Sequence, residues 1–426
     1  MVKNIFSFGI YSLLISFLFL ISCNQKNTTN NSKNEKGSDS ITTAEKVTTK
    51  AYEGKTEIDK NKTEEAADNT ESSPEVVVAN VKVDNMSRFI SGMKQENENE
   101  LNKLENYRSW KKYAALSDTV WTKLKANKLK KMSEFSRKEL LEANKSSDVL
   151  FYPFSGPDFL NMFVFFPNAK KYVMAGLENV GGLPNVGRLK NDSIARRYFK
   201  HINTSLNDIL NISFFKTKDM AVDFRAGDVT GNLAVILIFM ERTGNKILDV
   251  NPVKLNSKGE IVAGSFKDTT SLPAKRITGT EIHFKTEKNE TKTLYYFSVN
   301  LANFAFEKVP YFLDYVRNLG QFNTYIKSAS YLMHKAYFSE IRKCILDQSR
   351  NILEDDSGIP YKFFKSKKWD IQLYGKYVGP IRLFENHFQK DLDSLYKIPS
   401  KVKPLPFGIG YQFRYGQSNL LLAKKK

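Results

Sequence analysis

The chain has 426 residues, of which 41% are apolar and 13% aromatic, so it can form a sizeable hydrophobic core and is not disordered as a whole. Its two cysteines exclude a disulfide-rich scaffold and a cysteine-rich zinc fold. The net charge of +19 leaves nucleic acids and anionic membranes open as partners, because charge alone does not choose between them.

The first 22 residues have the pattern of a signal peptide. Lys3 provides the one charge before an uncharged apolar stretch from Ile5 to Ile21. As a helix this stretch would reach about 25 Å, whereas a bilayer core is roughly 30 Å thick. The length therefore favours a cleaved signal peptide over an uncleaved membrane span.

The apolar stretch ends in Leu20-Ile21-Ser22-Cys23, which resembles the lipobox of bacterial lipoproteins. The resemblance covers only this N-terminal segment. It implies cleavage before Cys23, lipidation of the Cys23 thiol, and acylation of the new amino group by a fatty acid such as palmitate. Asn24 follows, where an Asp would resemble an inner-membrane retention signal, so the outer membrane is favoured. We expect a lipid-anchored protein of the bacterial cell envelope.

Residues 24–75 contain no Leu, Phe, Trp or Met, and Tyr52 is their one aromatic residue. Such a segment cannot bury enough apolar surface to offset its conformational entropy, which predicts a flexible tether. It contains more acids than lysines, so the remaining chain is more basic than the whole. The predicted division is a signal peptide (1–22), a lipidated Cys with a disordered tether (23–85), a helical subdomain (86–147) and an α+β domain (148–426).

The body alternates helical and strand patterns. Apolar residues from Met86 to Ala143 recur at three-to-four spacing, which predicts helices. The later patterns predict helices at Phe304–Leu319 and Tyr337–Leu353, a helix N-capped by Asp192, and strands at Val149–Tyr152, Phe163–Phe166, Tyr172–Leu177, Leu233–Met240, Ile247–Leu255, Ile282–Thr286, Leu294–Asn300, Ile371–Tyr377 and Tyr411–Tyr415. This irregular order predicts an α+β fold: an N-terminal helical segment, then a mixed or antiparallel sheet with packed helices.

The segment from Phe151 to Phe159 carries the first candidate chemistry. Ser155 follows a predicted strand within a Gly-Pro turn, where its hydroxyl could act as a nucleophile beside the carboxylate of Asp158. The segment lacks the Gly-x-Ser-x-Gly pattern of a nucleophile elbow. The alternative is a turn in which Ser155 and Asp158 bond nearby backbone N–H groups.

Two further segments could contribute to a hydrolase or transferase site. His334 follows an apolar stretch and is the best catalytic histidine. Asp355 and Asp356 come directly after Glu354 at a predicted helix end, where they could act as a general base or bind a cation. The alternatives are a structural histidine and a polar turn, and no metal-binding motif or EF-hand spacing is present.

Basic residues cluster around the start of the helix predicted near Asp192. Arg188, Arg196, Arg197 and Lys200 could bind an anion there, or they could form a solvated helix face. Lipid headgroups and envelope polymers are the anionic partners we consider, and we do not expect nucleic acid. No nucleotide-binding or metal motif appears, so the sequence predicts no cofactor.

These observations favour a non-enzymatic envelope lipoprotein whose body binds a ligand or a partner. The alternative is an extracytoplasmic hydrolase or transferase with a Ser/His/Asp-type site.

The lipobox generates a direct test. Cys23→Ser removes the thiolate that thioether formation requires, so we expect an unprocessed precursor without acyl chains. Labelling with radioactive palmitate and N-terminal sequencing of the mature chain would check this. Label in the variant, or a wild-type mature chain that begins elsewhere, would contradict lipid anchoring.

Overall fold

A computed structural model describes residues 79–212, 231–269 and 277–426. The signal peptide, Cys23 and the tether up to residue 78 lie outside the described residues. The described residues belong to one compact unit.

Thirteen α-helices occur in the described residues. They are α1 Val81–Ile90, α2 Asn102–Glu105, α3 Arg108–Leu124, α4 Lys130–Glu139, α5 Leu141–Ser146, α6 Phe159–Phe165, α7 Asp192–Ile212, α8 Leu233–Arg242, α9 Phe266–Thr269, α10 Asn303–Phe306, α11 Tyr311–Asn318, α12 Ser339–Gln348 and α13 Lys390–Tyr396. A π-helical turn, Lys125–Leu129, joins α3 to α4.

Eleven strands form one sheet in the described part of the chain. They are β1 Val149–Pro153, β2 Lys171–Gly176, β3 Lys246–Leu255, β4 Ile261–Ala263, β5 Thr278–Lys285, β6 Thr291–Ser298, β7 Phe322–Ile326, β8 Ser349–Glu354, β9 Trp369–Gly375, β10 Val402–Lys403 and β11 Asn419–Lys425.

The sheet is mixed, with the order β10-β9-β11-β8-β7-β1-β2-β6-β5-β3-β4. Its centre, β8-β7-β1-β2-β6, is parallel throughout. Antiparallel pairs flank this centre: β11 on β8 and β9 on one side, and β5 on β6, β3 on β5 and β4 on β3 on the other. The fold class is therefore mixed helix and sheet, as the sequence predicts.

The parallel centre has a reversal in its strand order. Numbered by their succession along the chain, its five strands lie in the order 3-2-1-4-5, with β1 as the first and β7 as the fourth. This is the order of a doubly wound sheet, in which the chain winds outward from the middle in both directions. The loops that leave β1 and β7 consequently depart toward opposite sides, and a crevice opens between them at the carboxyl edge.

Both faces of the sheet are covered. Alternate residues of β1 point to opposite faces, so Leu150 and Tyr152 belong to one hydrophobic cluster and Phe151 to another. The first cluster includes apolar residues of α1, α3, α4, α6, α7 and α8, and the second those of α10 to α13. The helices before β1 thus share a core with one face of the sheet. No described helix is long and apolar enough to cross a membrane.

One predicted strand is a helix. Leu233–Met240 was expected to be a central strand, but it lies in α8, and every residue of α8 is buried. An uninterrupted apolar run has no polar face, so its periodicity does not distinguish a buried strand from a buried helix. α8 packs against α1, α6 and β3, which leaves it no solvent-facing side.

Several shorter predictions need correction. Phe163–Phe166 is not a strand, because α6 extends to Phe165. Tyr337–Leu353 is not one helix, since α12 ends at Gln348 and β8 begins at Ser349. Phe304–Leu319 is divided into α10 and α11, and Pro310 stands between them directly before α11. Tyr411–Tyr415 forms turns rather than a strand.

α8 ends in a buried carboxyl group. Glu241 is 3% exposed and lies near the buried Asp84. Burial, followed by the charge of Asp84, raises the pKa of Glu241 to about 9. Arg88 lies 3.7 Å from Glu241 but 3.1 Å from the exposed Glu96, so its charge is shared and does not reverse the effect of burial. Glu241 is therefore protonated in the folded protein at neutral pH.

The raised pKa of Glu241 predicts that the stability of the protein depends on pH. Between its ordinary pKa of 4.5 and its folded pKa of about 9, the folded state holds a proton that the unfolded chain has lost. Glu241 therefore lowers the free energy of unfolding as pH rises through that window, by up to about 1.4 kcal/mol per pH unit. Glu241→Gln should flatten the decline, as measured by urea unfolding from pH 5.5 to 8.5. An unchanged slope in the variant would contradict this assignment.

Candidate functional site

A crevice lies at the reversal in strand order. The loops that follow β1, β2 and β7 line it, together with Tyr411 from the C-terminal segment. Its volume is about 130 Å³ and it is open on one side. A cavity of about 150 Å³ accepts a benzene ring, so this crevice can hold one five- or six-membered ring. In doubly wound sheets ligands bind at this position, outside the carboxyl ends of the strands.

A buried ion pair forms the floor of the crevice. Lys327 Nζ lies 2.7 Å from Asp158 Oδ2, and neither side chain is more than 2% exposed. Tyr152 donates its hydroxyl proton to the same carboxylate oxygen at 3.0 Å. Asp158 is also the N-cap of α6, and its Oδ1 accepts from the backbone N–H and the side-chain amide of Asn161. One carboxylate thus joins β1, α6 and the loop after β7.

Glu178 lies on the β2 side of the crevice. A Cβ at Gly176 would lie 2.7 Å from Glu178 Oε2 and 3.4 Å from the backbone nitrogen of Gly156. Because Gly176 has no side chain, the Glu178 carboxylate can fold back over the end of β2, beside the turn that follows β1. The crevice presents a carboxylate on this side and the Lys327 ammonium on its floor.

Backbone strain is concentrated around the crevice. Five non-glycine residues have positive φ in the described chain, and four of them lie in the loops after β1 and β7. They are Phe154, Ser328, Ser330 and Tyr331. Each such residue costs on the order of 1–3 kcal/mol and persists only where its surroundings hold it, which is common at ligand sites.

The acids after β8 hold this strained loop. Asp355 Oδ2 accepts from the backbone N–H of Ser328 at 2.9 Å, and Oδ1 accepts from the backbone N–H and the hydroxyl of Ser357. The Ser357 hydroxyl accepts in turn from the backbone N–H of Ala329 at 2.8 Å. Burial and the neighbouring Asp356 raise the pKa of Asp355 to about 7.

Asp356 secures the next part of the loop. Its Oδ2 accepts from the Tyr331 hydroxyl at 2.6 Å, and its Oδ1 accepts from the Asn419 side chain at 3.0 Å. Burial raises the pKa of Asp356 as well. Asp355 and Asp356 are thus buried and held by hydrogen-bond donors, and among the described residues no group of three or more His, Cys, Asp or Glu could hold a metal ion.

The structure does not pair Ser155 with a histidine. Ser155 is buried beside the crevice, and its backbone N–H and hydroxyl both donate to the carbonyl of Ala175, at 3.0 and 3.4 Å. His334 lies against Tyr331 and His387 instead. Asp158 is bound to Lys327 and Tyr152, and Asp355 to the loop after β7. The predicted site residues therefore lie around one region of the structure. Their side chains do not form a hydrogen-bonded series of nucleophile, base and acid.

The predicted anion cluster lies elsewhere, on α7. Arg196, Arg197 and Lys200 are exposed on this helix, and Arg188 is exposed in the preceding turn. The sequence predicts Asp192 as the N-cap of this helix, but Asp192 is its first residue. The side chain of Asn191 caps the helix instead, because it accepts from the backbone N–H of Ile194. Asp192 accepts from the backbone N–H of Ser109 and lies 3.7 Å from Arg196, which reduces the positive charge there.

Comparison of the chain with protein-family models, with curated proteins and with solved structures finds no match.

The ion pair on the crevice floor generates a stability test. Lys327→Met removes the ammonium that lies 2.7 Å from the buried Asp158 carboxylate, which should lower the free energy of unfolding by about 3–5 kcal/mol. Adding Asp158→Asn should recover part of this loss, because the carboxylate that has lost its closest ion-pair partner is then neutral. Urea unfolding of both variants would measure the effect.

The control is a lysine at an exposed position. The Lys397 side chain, directly after α13, is 72% exposed, and its Nζ lies 2.6 Å from the partly exposed Asp393 carboxylate. Lys397→Met should therefore change the stability by less than about 1 kcal/mol. A loss of that small size for Lys327→Met would show that the buried pair does not hold the loops together.

Proposed function

We propose that this chain is a lipid-anchored bacterial envelope protein whose body binds a small hydroxyl-bearing ring, such as the ribose of a nucleoside, in the crevice. The observation that carries the proposal is the coincidence of the cavity with the reversal in strand order between β1 and β7. Anchoring through Cys23 rests on the lipobox resemblance.

Glu178 supports ribose as the ligand group. In doubly wound dinucleotide-binding domains, an acidic residue about 20 residues after the glycine turn accepts hydrogen bonds from the ribose hydroxyls. Glu178 comes about 20 residues after Gly156 in the chain, and its carboxylate lies near the turn that contains Gly156. Two hydroxyls on adjacent carbons can donate to the two oxygens of one carboxylate, and the enclosed volume fits one such ring.

A phosphate is less well accommodated than a sugar. The turn after β1 has one glycine, Gly156, where a phosphate-binding turn has three. The first turn of α6 is capped by the Asp158 carboxylate, so an anion there would meet a negative charge. Lys327 is bound to that same carboxylate. The ligand class that fits is therefore a nucleoside or sugar rather than a nucleotide.

An extracytoplasmic hydrolase or transferase is the alternative. It has less support, because the Ser155 hydroxyl is bonded to a backbone carbonyl and no described histidine donates to or accepts from it. An anionic envelope lipid or polymer is also proposed as a partner for the exposed cluster on α7.

A nucleoside panel tests the proposed function. We expect isothermal titration calorimetry of the full chain to show binding of at least one of adenosine, guanosine, cytidine and uridine. The 2′,3′-dideoxy form of that nucleoside should bind at least about 100-fold more weakly, because it loses two hydrogen bonds to a charged group and each contributes about 1.5–3 kcal/mol. Glu178→Gln should lose affinity for the ribonucleoside, and Glu287→Gln, which removes an exposed acid from the β5–β6 turn, should not.

Two results would contradict the proposal. One is the absence of binding by all four ribonucleosides to the wild-type chain. The other is equal affinity for the ribonucleoside and its dideoxy form.

A further inference from the structure

A segment beside the crevice is attached at its two ends. We call residues 379–388 the strap. At one end the Gly379 carbonyl accepts from the Gln412 side chain at 3.0 Å. At the other end Gln389 donates its backbone N–H to the Tyr377 hydroxyl and its side-chain amide to the Asp356 carbonyl, both at 2.9 Å. Between these ends the strap includes a 3₁₀ segment, Arg382–His387.

Ring contacts hold the middle of the strap against the crevice wall. The ring of His387 stacks on Tyr331 at 5.2 Å, and the ring of Phe384 lies 5.1 Å from Tyr331 and 5.2 Å from Tyr411. Tyr411 lines the crevice, and its hydroxyl donates to the Ser328 carbonyl. Movement of the strap would therefore uncover rings that support the strained loop.

Two histidines take part in this packing. The rings of His334 and His387 are 5.2 Å apart, and both contact Tyr331. His334 hydrogen-bonds to the backbone of Asp356, while its Nε2 is buried without a hydrogen-bond partner in the described chain. A proton on that nitrogen would create a buried charge with no acceptor, beside a second imidazole.

The surrounding charges do not compensate such a proton. The Asp356 carboxylate is already held by Tyr331 and Asn419. Burial, and then His387, lower the pKa of His334 to about 4, and burial followed by Lys335 lowers that of His387. The titratable and charged groups around the pair are Lys335, Arg342, Lys362, Tyr331, Asp356, Tyr377, Tyr411 and, on the strap itself, Arg382 and Glu385.

We propose that protonation of His334 and His387 releases the strap from Tyr331, so that acid opens the side of the crevice. The release is a property of the strap itself, and its consequence for ligand access rests on the proposed function. In the packed state both imidazoles are neutral. In the released state they are solvated and take up protons at their ordinary pKa.

The direction follows from proton linkage. The ordinary pKa of 6.5 applies to a solvated His334 and about 4 to the packed one, so the released state binds more protons between these values. Acidification therefore favours release. For His334 alone, the ratio of released to packed strap should rise by about 25-fold between pH 7.5 and pH 5.

Hydrogen exchange of the full chain tests the strap directly. Amides in residues 379–388 should lose protection by at least about 25-fold at pH 5 relative to pH 7.5, after correction for intrinsic exchange, because His387 adds to the effect of His334. His387→Phe keeps a ring on Tyr331 without a titratable group and should reduce this loss toward the roughly 25-fold expected for His334 alone. His201→Phe, in α7, removes another half-buried histidine and should leave the loss unchanged. Equal strap protection at both pH values in the wild type would overturn the proposal.

A second measurement does not depend on a folded variant. The pKa of His334 in the wild-type chain, measured by exchange of its ring C2 proton, should lie well below 6.5. An unshifted value would overturn the strap mechanism. The two proposals can fail separately. Release of the strap by acid without any ribonucleoside binding would support the strap proposal alone. Ribonucleoside binding with strap protection that does not depend on pH would overturn it.

Discussion

The buried ion pair between Asp158 and Lys327 is the interaction on which the crevice depends. The loops after β1 and β7 leave the sheet toward opposite sides, and this pair connects them across the gap at 2.7 Å. Two buried charges are costly to desolvate, and such pairs are maintained only with good geometry and additional hydrogen bonds. Tyr152 and Asn161 provide those bonds on the carboxylate. The pair thus fixes the floor of a cavity that the strand order opens.

The walls of the crevice are held by polar groups that are themselves buried. Asp355 and Asp356 receive hydrogen bonds from the loop after β7, whose residues Ser328, Ser330 and Tyr331 have positive φ. The hydrogen bonds offset the backbone strain, and burial of the two acids raises their pKa values. For the proposed function, loops that are held by these hydrogen bonds before a ligand arrives would lower the ordering cost of binding.

The sequence predicts much of the fold but little of the site geometry. The period-two and helical patterns identify β3, the β5–β6 hairpin and the N-terminal helices, because they alternate apolar and polar positions. β1 and β2 are buried on both faces and are identified as short apolar runs beside turn residues. Leu233–Met240 was misassigned because α8 is buried on all sides. The sequence patterns do not predict β7 or β11. The position of Lys327, directly after β7 and beside β1, therefore could not be inferred. The sequence offers Asp158, Asp355 and Asp356 as candidates, but it does not show that Lys327, Ser328 and Tyr331, which bind these acids, come from one distant loop.

We propose that the crevice at the reversal in strand order is a binding site. Hydrogen exchange of the full chain with and without a ribonucleoside tests it most directly, because it locates the ligand without assuming which residue binds it. We expect added protection in residues 154–158, 177–182 and 327–332, and no change in the β5–β6 turn at 286–290. Protection confined to α7, or to segments away from the three crevice loops, would contradict this account.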